Sequence, residues 1–240
     1  MKAIILAGGI GVRLRPFTFS MPKPLLPIGE KPILESIIKR LKKFGFREFI
    51  LAIGYKSKMV EAYFRDGSEF GVSIDYLVEK KPSGTAGPLA QLKEKFEIGE
   101  DESMLLMNGD IVTKLNFSKF VAYHEKNDFD ITVGVKKIEE KGSYGFVEVR
   151  RGVVKKIVEK PSLERTVNTG IYLIKSRVIK DIPNGKFFTM PELVNRLIAK
   201  KRPVGAYNIK EYWMGLESLQ HFEEVHNNKH ILQAITKDRE

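Results

Sequence analysis

The chain has 240 residues, with 41 lysines and arginines against 30 aspartates and glutamates, and a formal net charge of +11. It contains no cysteine, which excludes a disulfide scaffold, a thiolate zinc site and a cysteine nucleophile. No apolar run approaches the roughly 20 residues that span a bilayer. The basic surplus leaves four explanations open: nucleic acid, a membrane surface, small phosphorylated ligands, or no partner at all.

Short apolar runs alternate with helical patterns through the first half of the chain. The pattern predicts strands at residues 2–7, 48–53, 73–78 and 104–107, and helices at residues 32–44, 57–65 and 85–96. Ser57 is the predicted N-cap of its helix. Strands that alternate with helices indicate βαβ units, so the predicted fold class is α/β, with a mixed, mainly parallel sheet and flanking helices.

The second half of the chain has a more mixed pattern. Strands are predicted at residues 130–136, 144–149, 153–158 and 170–174, a hairpin turn at residues 151–152, and helices at residues 190–200 and 217–229. No linker is long enough to separate independent domains. We therefore expect one domain with a first lobe over residues 1–113, a second lobe over residues 114–216, and a C-terminal helix and tail over residues 217–240.

Residues 6–16, LAGGIGVRLRP, place glycines directly after the first predicted strand. Glycine lets the backbone approach a phosphate closely, and free N–H groups can form an anion cradle. A Walker A loop is excluded because Val12 and Arg13 follow Gly11, and a dinucleotide fingerprint because Leu14 stands where glycine or alanine is needed. A glycine-rich turn without a ligand is the alternative.

Fixed charges accompany this loop. Arg13 and Arg15 lie within it, and Lys23 follows in the segment MPKPLLP, whose prolines restrict the direction of the lysine. Asp110 follows a buried strand at the expected carboxyl edge of the sheet, where a lone carboxylate suits Mg²⁺, although an Asx turn in Asn-Gly-Asp is the alternative. Cations, glycines and a carboxylate for Mg²⁺ are the parts that phosphoryl or nucleotidyl transfer requires.

Residues 6–27 closely resemble the signature of the sugar-1-phosphate nucleotidyltransferases, also called nucleotide-sugar pyrophosphorylases. The resemblance is closest to the mannose/heptose-1-phosphate guanylyltransferase and glucose-1-phosphate thymidylyltransferase branches. It continues in order through PSGTAGP (82–88), NGD (108–110), YG (144–145), EKP (159–161) and NTGIY (168–172). The resemblance implies a Rossmann-like sheet of the nucleotide-diphospho-sugar transferase type. The implied reaction is attack of a sugar 1-phosphate oxygen on the α-phosphorus of an NTP, with release of pyrophosphate.

The resemblance also implies site residues in each lobe. It implies catalytic roles for Arg13, Lys23 and Asp110, and Mg²⁺ as a cofactor held by Asp110. The implied nucleotide-binding residues, all in the first lobe, are Leu6, Ala7, Gly8, Gly9, Gly11, Arg13, Glu79, Pro82, Gly84, Thr85, Asn108 and Gly109. The implied sugar-phosphate-binding residues, all in the second lobe, are Tyr144, Gly145, Glu159, Lys160 and Asn168.

The resemblance implies that Glu79 and residues 82–86 lie where the family reads the base. A carboxylate can accept hydrogen bonds from both N1–H and the exocyclic amine of guanine, whereas uracil or thymine offers one donor. GTP is therefore favoured if Glu79 faces the base, while a solvated acid beside Lys80 and Lys81 is the alternative. Thymidylyl- and uridylyltransferase activities stay open.

One segment departs from the family pattern. Many members carry Trp-x-Asp-x-Gly near the end of the catalytic region, and that aspartate completes the Mg²⁺ site. Residues 212–217 read YWMGLE, so Gly215 stands at the aspartate position. Glu217 is a candidate replacement ligand, with charge complementation at a helix N-terminus as the alternative. The departure keeps a non-catalytic regulatory paralogue open as a second function.

The remaining features narrow the partners. His226 and His230 have the i,i+4 spacing of a metal pair, but no third ligand is placed, so a solvated helix face is expected. No RRM, KH or helix-turn-helix pattern is present. We expect an NTP and a sugar 1-phosphate as partners, and neither nucleic acid nor a membrane. The first strand begins at Lys2, so no signal peptide is expected and a cytoplasmic location is predicted. A monomer and a homo-oligomer are both open.

Overall fold

The computed structural model describes residues 1–142, 144–160 and 162–236. The strands are β1 Lys2–Ala7, β2 Pro27–Ile28, β3 Lys31–Pro32, β4 Glu48–Ile53, β5 Ser73–Val78, β6 Ser103–Asn108, β7 Ile111–Thr113, β8 Ile131–Lys141, β9 Phe146–Arg150, β10 Val153–Val158, β11 Ser162–Lys175, β12 Val204–Asn208 and β13 Trp213–Gly215. The α-helices are α1 Phe17–Ser20, α2 Ile33–Lys43, α3 Ser57–Phe64, α4 Leu92–Lys95, α5 Phe117–Asn127, α6 Met190–Ala199, α7 Leu219–Asn227 and α8 Lys229–Thr236. Short 3₁₀ helices lie at Val12–Leu14, Lys23–Leu25, Ser68–Phe70, Gly87–Gln91 and Ser176–Asp181.

The central sheet has seven strands in the order β12-β8-β11-β6-β1-β4-β5. Its neighbouring strands are parallel except at β11, which is antiparallel to both β6 and β8. The predicted mixed, mainly parallel α/β sheet is confirmed. The strand order reverses at β1, which lies between β4 and β6. In open α/β sheets, ligands bind at the carboxyl edge of such a reversal.

Apolar cores cover both faces of this sheet because successive side chains of a strand point in opposite directions. On β1, Ala3 and Ile5 pack into one core with the apolar side of α2. Ile4 packs into the other core with Leu193 and Leu197 of α6. A central strand that is buried on both faces accounts for the unbroken apolar run KAIILA.

Three of the predicted helices differ in detail. Ser57 is the first residue of α3 and not its N-cap, since Lys56 occupies the cap position with a φ of 52°. Residues 85–96 form a 3₁₀ turn followed by the single turn α4, because hydrogen bonds with Phe188 fix the chain at residues 83–87. The predicted helix at residues 217–229 is α7, Leu219–Asn227, and a further helix, α8, follows it in the predicted tail, where Asn228 Oδ1 accepts from the amide of Ile231. Residues 237–240 of the predicted tail lie outside the described residues.

An exposed arm extends from the sheet between β8 and β11. β8 and β11 continue past the sheet as a two-stranded ribbon, and β9 and β10 form an antiparallel hairpin whose side chains are all exposed. The predicted turn is confirmed, with φ of 51° at Arg151 and 77° at Gly152. Over the part of the chain that is described, no helix is both long enough and apolar enough to cross a membrane.

Candidate active site

The loops that follow β1, β4 and β6 meet at one edge of the sheet. Leu6 pairs with Asn108 in the parallel ladder, and the amide of Gly109 donates to the carbonyl of Leu6 at 2.8 Å. On the other side, the carbonyl of Gly8 accepts from the amide of Tyr55 at 3.3 Å. The predicted nucleotide residues at positions 6–9 and 108–109 therefore lie together.

The glycine-rich loop is anchored from two directions. Gly11 has a φ of 69°, a conformation that favours glycine, and its carbonyl accepts from the hydroxyl of Thr18 at 2.9 Å. The carbonyl of Thr18 accepts in turn from the hydroxyl of Tyr55 at 3.0 Å. A Cβ on Gly11 would lie 3.3 Å from the Cβ of Lys23, so the loop and the proline-bounded lysine are packed against each other. In contrast, Gly9 is exposed and has open space around it.

Two ion pairs join the predicted cations to the predicted carboxylates. Lys23 Nζ pairs with Asp110 Oδ2, and these side chains are 15% and 26% exposed. Arg13 Nη1 pairs with Glu217 Oε2, and both side chains are largely exposed. Lys23 thus faces the carboxylate of Asp110, between β6 and β7, and Arg13 faces the carboxylate of Glu217, which follows β13. The two pairs place equal positive and negative charge at this edge of the sheet.

Glu217 lies beside the gap that Gly215 leaves. The amide of Leu216 donates to the carbonyl of Asp110 at 2.8 Å, which fixes this segment next to Asp110. The amide of Glu217 bonds back to the carbonyl of Gly215 at 3.0 Å, so the chain turns tightly here. A Cβ on Gly215 would lie 3.9 Å from Glu217 Oε1. The carboxylate of Glu217 therefore borders the space that a side chain at position 215 would occupy.

Glu79 leads from β5 into the predicted base-reading segment. Its Oε1 accepts from the amide of Ser83 at 3.2 Å and from the Ser83 hydroxyl. Its Oε2 lies 3.1 Å from where a Cβ on Gly8 would be. One oxygen of this carboxylate is thus held by Ser83, while the other faces the glycine loop. Thr85 Oγ1 accepts from the amide of Met190 at 2.8 Å, and Pro82 is exposed.

The predicted sugar-phosphate residues are split between the arm and the sheet. Tyr144 is 80% exposed, and a Cβ on Gly145 would lie 2.8 Å from Glu159 Oε2. Lys160 has a φ of 43°, which is costly for a lysine and is commoner at functional sites. Asn168 is placed separately, in β11, where its amide donates to the hydroxyl of Tyr172 at 2.5 Å.

Two close contacts beside the site involve residues of the matched motifs, of which only Asn108 is a predicted site residue. A Cβ on Gly170 would lie 2.5 Å from Asn108 Nδ2, so β11 approaches β6 as closely as glycine permits. The indole of Trp213 donates to the carbonyl of Thr169 at 2.9 Å. Tyr55 is another residue that the sequence analysis missed. Its position just past β4, at the same edge as Gly8, is the signal that could have found it.

His226 contacts the protein through both ring nitrogens. Nε2 accepts from the amide of Gly29 at 3.1 Å, and Nδ1 lies 2.8 Å from the carbonyl of Phe222. His230 is on α8, beyond the break at Asn228. His226 therefore fixes α7 to the turn between β2 and β3. Across residues 1–142, 144–160 and 162–236, no three His, Asp or Glu side chains converge as a metal cluster.

The chain is similar to proteins of known family. Residues 2–230 match the family model described as nucleotidyl transferase. The chain is 34% identical over 221 residues to the mannose-1-phosphate guanylyltransferase catalytic subunit beta of Xenopus tropicalis, covering 90% of this chain and 61% of that protein. It is 36% identical over 187 residues to mannose-1-phosphate guanylyltransferase 1 of Arabidopsis thaliana, covering 76% of this chain and 52% of that protein. The chain therefore spans less than two thirds of the length of these relatives.

A solved structure shares the whole fold. A glucose-1-phosphate thymidylyltransferase-like protein of Bacillus anthracis superposes with a TM-score of 0.76 at 25% identity, covering 95% of this chain and 96% of that one. The family match runs from β1 into α8 and so includes the glycine loop, both ion pairs and the arm. The chain belongs to the nucleotidyl transferase family.

Proposed function

We propose that the chain is a sugar-1-phosphate guanylyltransferase. In the proposed reaction, an oxygen of the sugar 1-phosphate attacks the α-phosphorus of GTP. The bond between the α-phosphorus and the oxygen that links it to the β-phosphorus breaks, and pyrophosphate leaves with that oxygen. The nucleotide would occupy the lobe of residues 1–113 and the sugar phosphate the lobe of residues 114–216. The observation that carries the proposal is the paired set of Arg13 with Glu217 and Lys23 with Asp110 beside the glycine loop.

Arg13 and Lys23 would bring two anions together. Both substrates are negatively charged, so their repulsion opposes the reaction unless fixed cations neutralise it. Lys23 is held between Pro22 and Pro24 and packs against Gly11, which supports a role at the reacting phosphate. Arg13 lies within the loop itself, on the 3₁₀ turn Val12–Leu14, and would bind the departing phosphates.

Asp110 and Glu217 fit a magnesium ion. Both groups are carboxylates, the donor type that Mg²⁺ prefers, and Mg²⁺ usually takes one or two protein carboxylates together with water and phosphate oxygens. Glu217 borders the side-chain space at Gly215, which supports its use as the second carboxylate. A bound Mg²⁺ would supply positive charge to the phosphates. Asp110 and Glu217 would orient it, at the loss of their present partners Lys23 and Arg13.

The choice of GTP rests on Glu79. Its carboxylate lies beside Gly8, and because Ser83 already donates two hydrogen bonds to Oε1, Oε2 is the oxygen left to accept from N1–H and the amine of guanine. The relatives named above are mannose-1-phosphate guanylyltransferases, which agrees with a guanine nucleotide. Mannose 1-phosphate is therefore the first sugar to test. Leu6, Ala7, Gly9, Gly84, Thr85, Asn108 and Gly109 would line the nucleotide, mostly through backbone.

Tyr144, Gly145, Glu159, Lys160 and Asn168 would bind the sugar phosphate. Glu159 and Gly145 already face each other at the open end of the β9–β10 hairpin, where glycine permits close backbone approach. Lys160, in its left-handed conformation next to Glu159, supplies a cation for the phosphate. The cytoplasmic location and the homo-oligomeric alternative stay predictions from the sequence.

A pyrophosphate-release assay tests the proposed function. The full chain with Mg²⁺ is combined with GTP, dTTP, UTP, CTP and ATP, each crossed with mannose, glucose, galactose, fucose and heptose 1-phosphates. We expect turnover with GTP and at least one sugar, and loss of most of it in Asp110→Ala. The missing carboxylate at Gly215 favours a second candidate, a non-catalytic regulatory paralogue. Nucleotide binding without turnover in any combination would support that paralogue and overturn the catalytic proposal.

A further inference from the structure

The loop of residues 82–88, which contains the predicted base-reading segment 82–86, forms hydrogen bonds with one residue from a distant part of the chain. The amide of Phe188 donates to the carbonyl of Ser83 at 2.8 Å. The carbonyl of Phe188 accepts from the amides of Ala86 and Gly87 at 2.9 and 3.1 Å. Both polar groups of this residue are therefore used by one short loop.

Gly84 makes this close approach possible. It has a φ of 85°, and a Cβ there would lie 2.4 Å from the carbonyl oxygen of Phe188. A side chain at position 84 would collide with backbone, which cannot move aside as a flexible side chain can. The glycine is thus required by the approach of Phe188, whatever ligand the loop holds.

The side chain of Phe188 fixes its peptide in place. Phe188 is only 6% exposed and belongs to the same core as Ala86 and Leu89. The guanidinium of Arg196 lies 4.6 Å from the ring centroid, and Arg196 Nη1 also donates to the carbonyl of Asp181 at 2.6 Å. The ring of Phe188 is therefore held by the apolar core and by the guanidinium of Arg196, while its peptide groups bond to the loop.

The start of α6 adds a second connection. Thr189 caps this helix through a capping box with Glu192, so the chain direction after Phe188 is well defined. The amide of Met190 donates to Thr85 Oγ1 at 2.8 Å. The loop of residues 82–88 has little regular structure of its own, and its conformation depends on these bonds to residues 188–190.

We propose that Phe188 is a positioning residue for nucleotide binding, which it controls by setting the conformation of residues 82–88 from outside the site. The proposal rests on the proposed function, because it takes this loop as the one that reads the base. Ser83 also bonds to Glu79, so a displaced loop would move the carboxylate that we assign to guanine. The sugar-phosphate residues lie on the arm and on β11, and they are not part of this connection.

The test compares three variants of the full chain: Phe188→Ala, Phe188→Leu and the matched control Leu197→Ala. Leu197 is fully buried in the same core but lies in the last turn of α6, away from the helix start that bonds to the loop, so Leu197→Ala removes core packing alone. Amide hydrogen exchange at Ala86 and Gly87 is measured in the free protein. The KM values for GTP and for mannose 1-phosphate are measured in parallel, together with Tm.

We expect Phe188→Ala to speed exchange at Ala86 and Gly87 by about tenfold or more, because their acceptor is no longer fixed. The KM for GTP should rise by about tenfold, while that for the sugar phosphate stays within about twofold, since only one substrate contacts this loop. Phe188→Leu should restore part of both effects. Leu197→Ala should lower Tm and leave the exchange and both KM values nearly unchanged.

Equal exchange in Phe188→Ala and wild type, or the same shifts in Leu197→Ala, would overturn the proposal. A parallel rise in both KM values would also contradict it, because it would indicate general loosening. If Phe188→Ala does not fold, the same measurements are made on Phe188→Leu and on Thr85→Val, which removes the hydroxyl that accepts from the amide of Met190. If the wild type turns over no substrate pair, the proposed function fails, and the exchange data alone decide whether Phe188 holds the loop.

Discussion

Lys23 and Asp110 are 87 residues apart in the sequence, yet they form an ion pair at the carboxyl edge of the central sheet. Lys23 comes from a 3₁₀ turn that begins between two prolines, and Asp110 from the tight connection between β6 and β7. Neither side chain is fully buried, so each can reach a ligand from the solvent side. The pair joins a cation suited to phosphate and a carboxylate suited to Mg²⁺ before either substrate is bound.

Removal of the Lys23 charge should impair the reaction. We expect Lys23→Met to lower kcat/KM by about 10²–10³-fold, the size found when one preorganised group is withdrawn from developing charge. Lys58→Met is the matched control, because Lys58 is 90% exposed in an ion pair on α3. Steady-state pyrophosphate release measures both. Equal activities in the two variants would contradict the assignment of Lys23.

The role of Glu217 is testable by metal binding. We expect Glu217→Gln to weaken Mn²⁺ binding, measured by electron paramagnetic resonance with a non-hydrolysable GTP analogue, by about tenfold or more, because one charged oxygen ligand is lost. The double variant Gly215→Asp/Glu217→Gln should recover affinity, since position 215 opens onto the same space. Unchanged Mn²⁺ affinity in Glu217→Gln would leave Glu217 as a surface partner of Arg13.

Glu79 should determine the preference for guanine. In Glu79→Gln one acceptor becomes a donor, so guanine loses a hydrogen bond and thymine or uracil gains one. We expect the ratio of kcat/KM values for GTP over dTTP to fall by about 10²-fold. Ser83→Ala, which removes only the hydroxyl that bonds to Glu79, should reduce the ratio much less. A ratio that stays constant in Glu79→Gln would place the base elsewhere.

A buried histidine should make stability depend on pH. His124 is fully buried and bonds to Thr132 Oγ1 at 2.7 Å. Burial, with the nearby charge of Lys175 as a smaller cause, lowers the pKa of His124 from 6.5 to about 4. Between pH 4 and pH 6.5, His124 is therefore mostly protonated in the unfolded chain and mostly neutral in the folded chain.

The expected profile follows from that difference. Stability from the neutral His124 is complete above pH 6.5 and is lost as the pH falls towards 4, by about 3 kcal/mol in total. Urea unfolding at several pH values measures it. His124→Gln should have a flatter profile over the same window, while losses below pH 4 from carboxylates such as Asp130, whose pKa its arginine partners hold low, should remain. Identical slopes in both proteins would contradict the prediction.

Asp130 should be important for stability and not for binding. Its side chain is almost fully buried between Arg177 and Arg202, at the end of the sheet opposite the site. Asp130→Ala removes the buried partner that these two arginines share, although Arg177 keeps Asp101 and Arg202 keeps Asp181, and should cost about 1–3 kcal/mol of unfolding free energy. Asp128→Ala, at the exposed side of the same network, should cost far less. Similar losses in the two variants, measured by urea unfolding, would contradict the difference in burial.

The sequence contained enough information for the local elements of the first lobe. β1, β4 and β5 have the predicted bounds, because unbroken or alternating apolar runs bounded by glycine or charge have few other solutions. The helix predicted at residues 85–96 was wrong in its first part because the bonds from Phe188 act at a distance of about a hundred positions. The pattern of apolar residues within 82–88 carries no information about these distant hydrogen-bond partners.

Periodicity, the glycine loop and the ordered motifs determined the α/β class, the family and the set of candidate residues from the sequence alone. Those features are local, and local propensity and spacing are encoded residue by residue. The tertiary structure decided which cation meets which carboxylate, that Glu217 borders the gap at Gly215, and that Phe188 holds the base-reading loop. Each of these depends on side chains and peptides that the strand order and the packing of two cores bring together, and linear spacing does not contain that information.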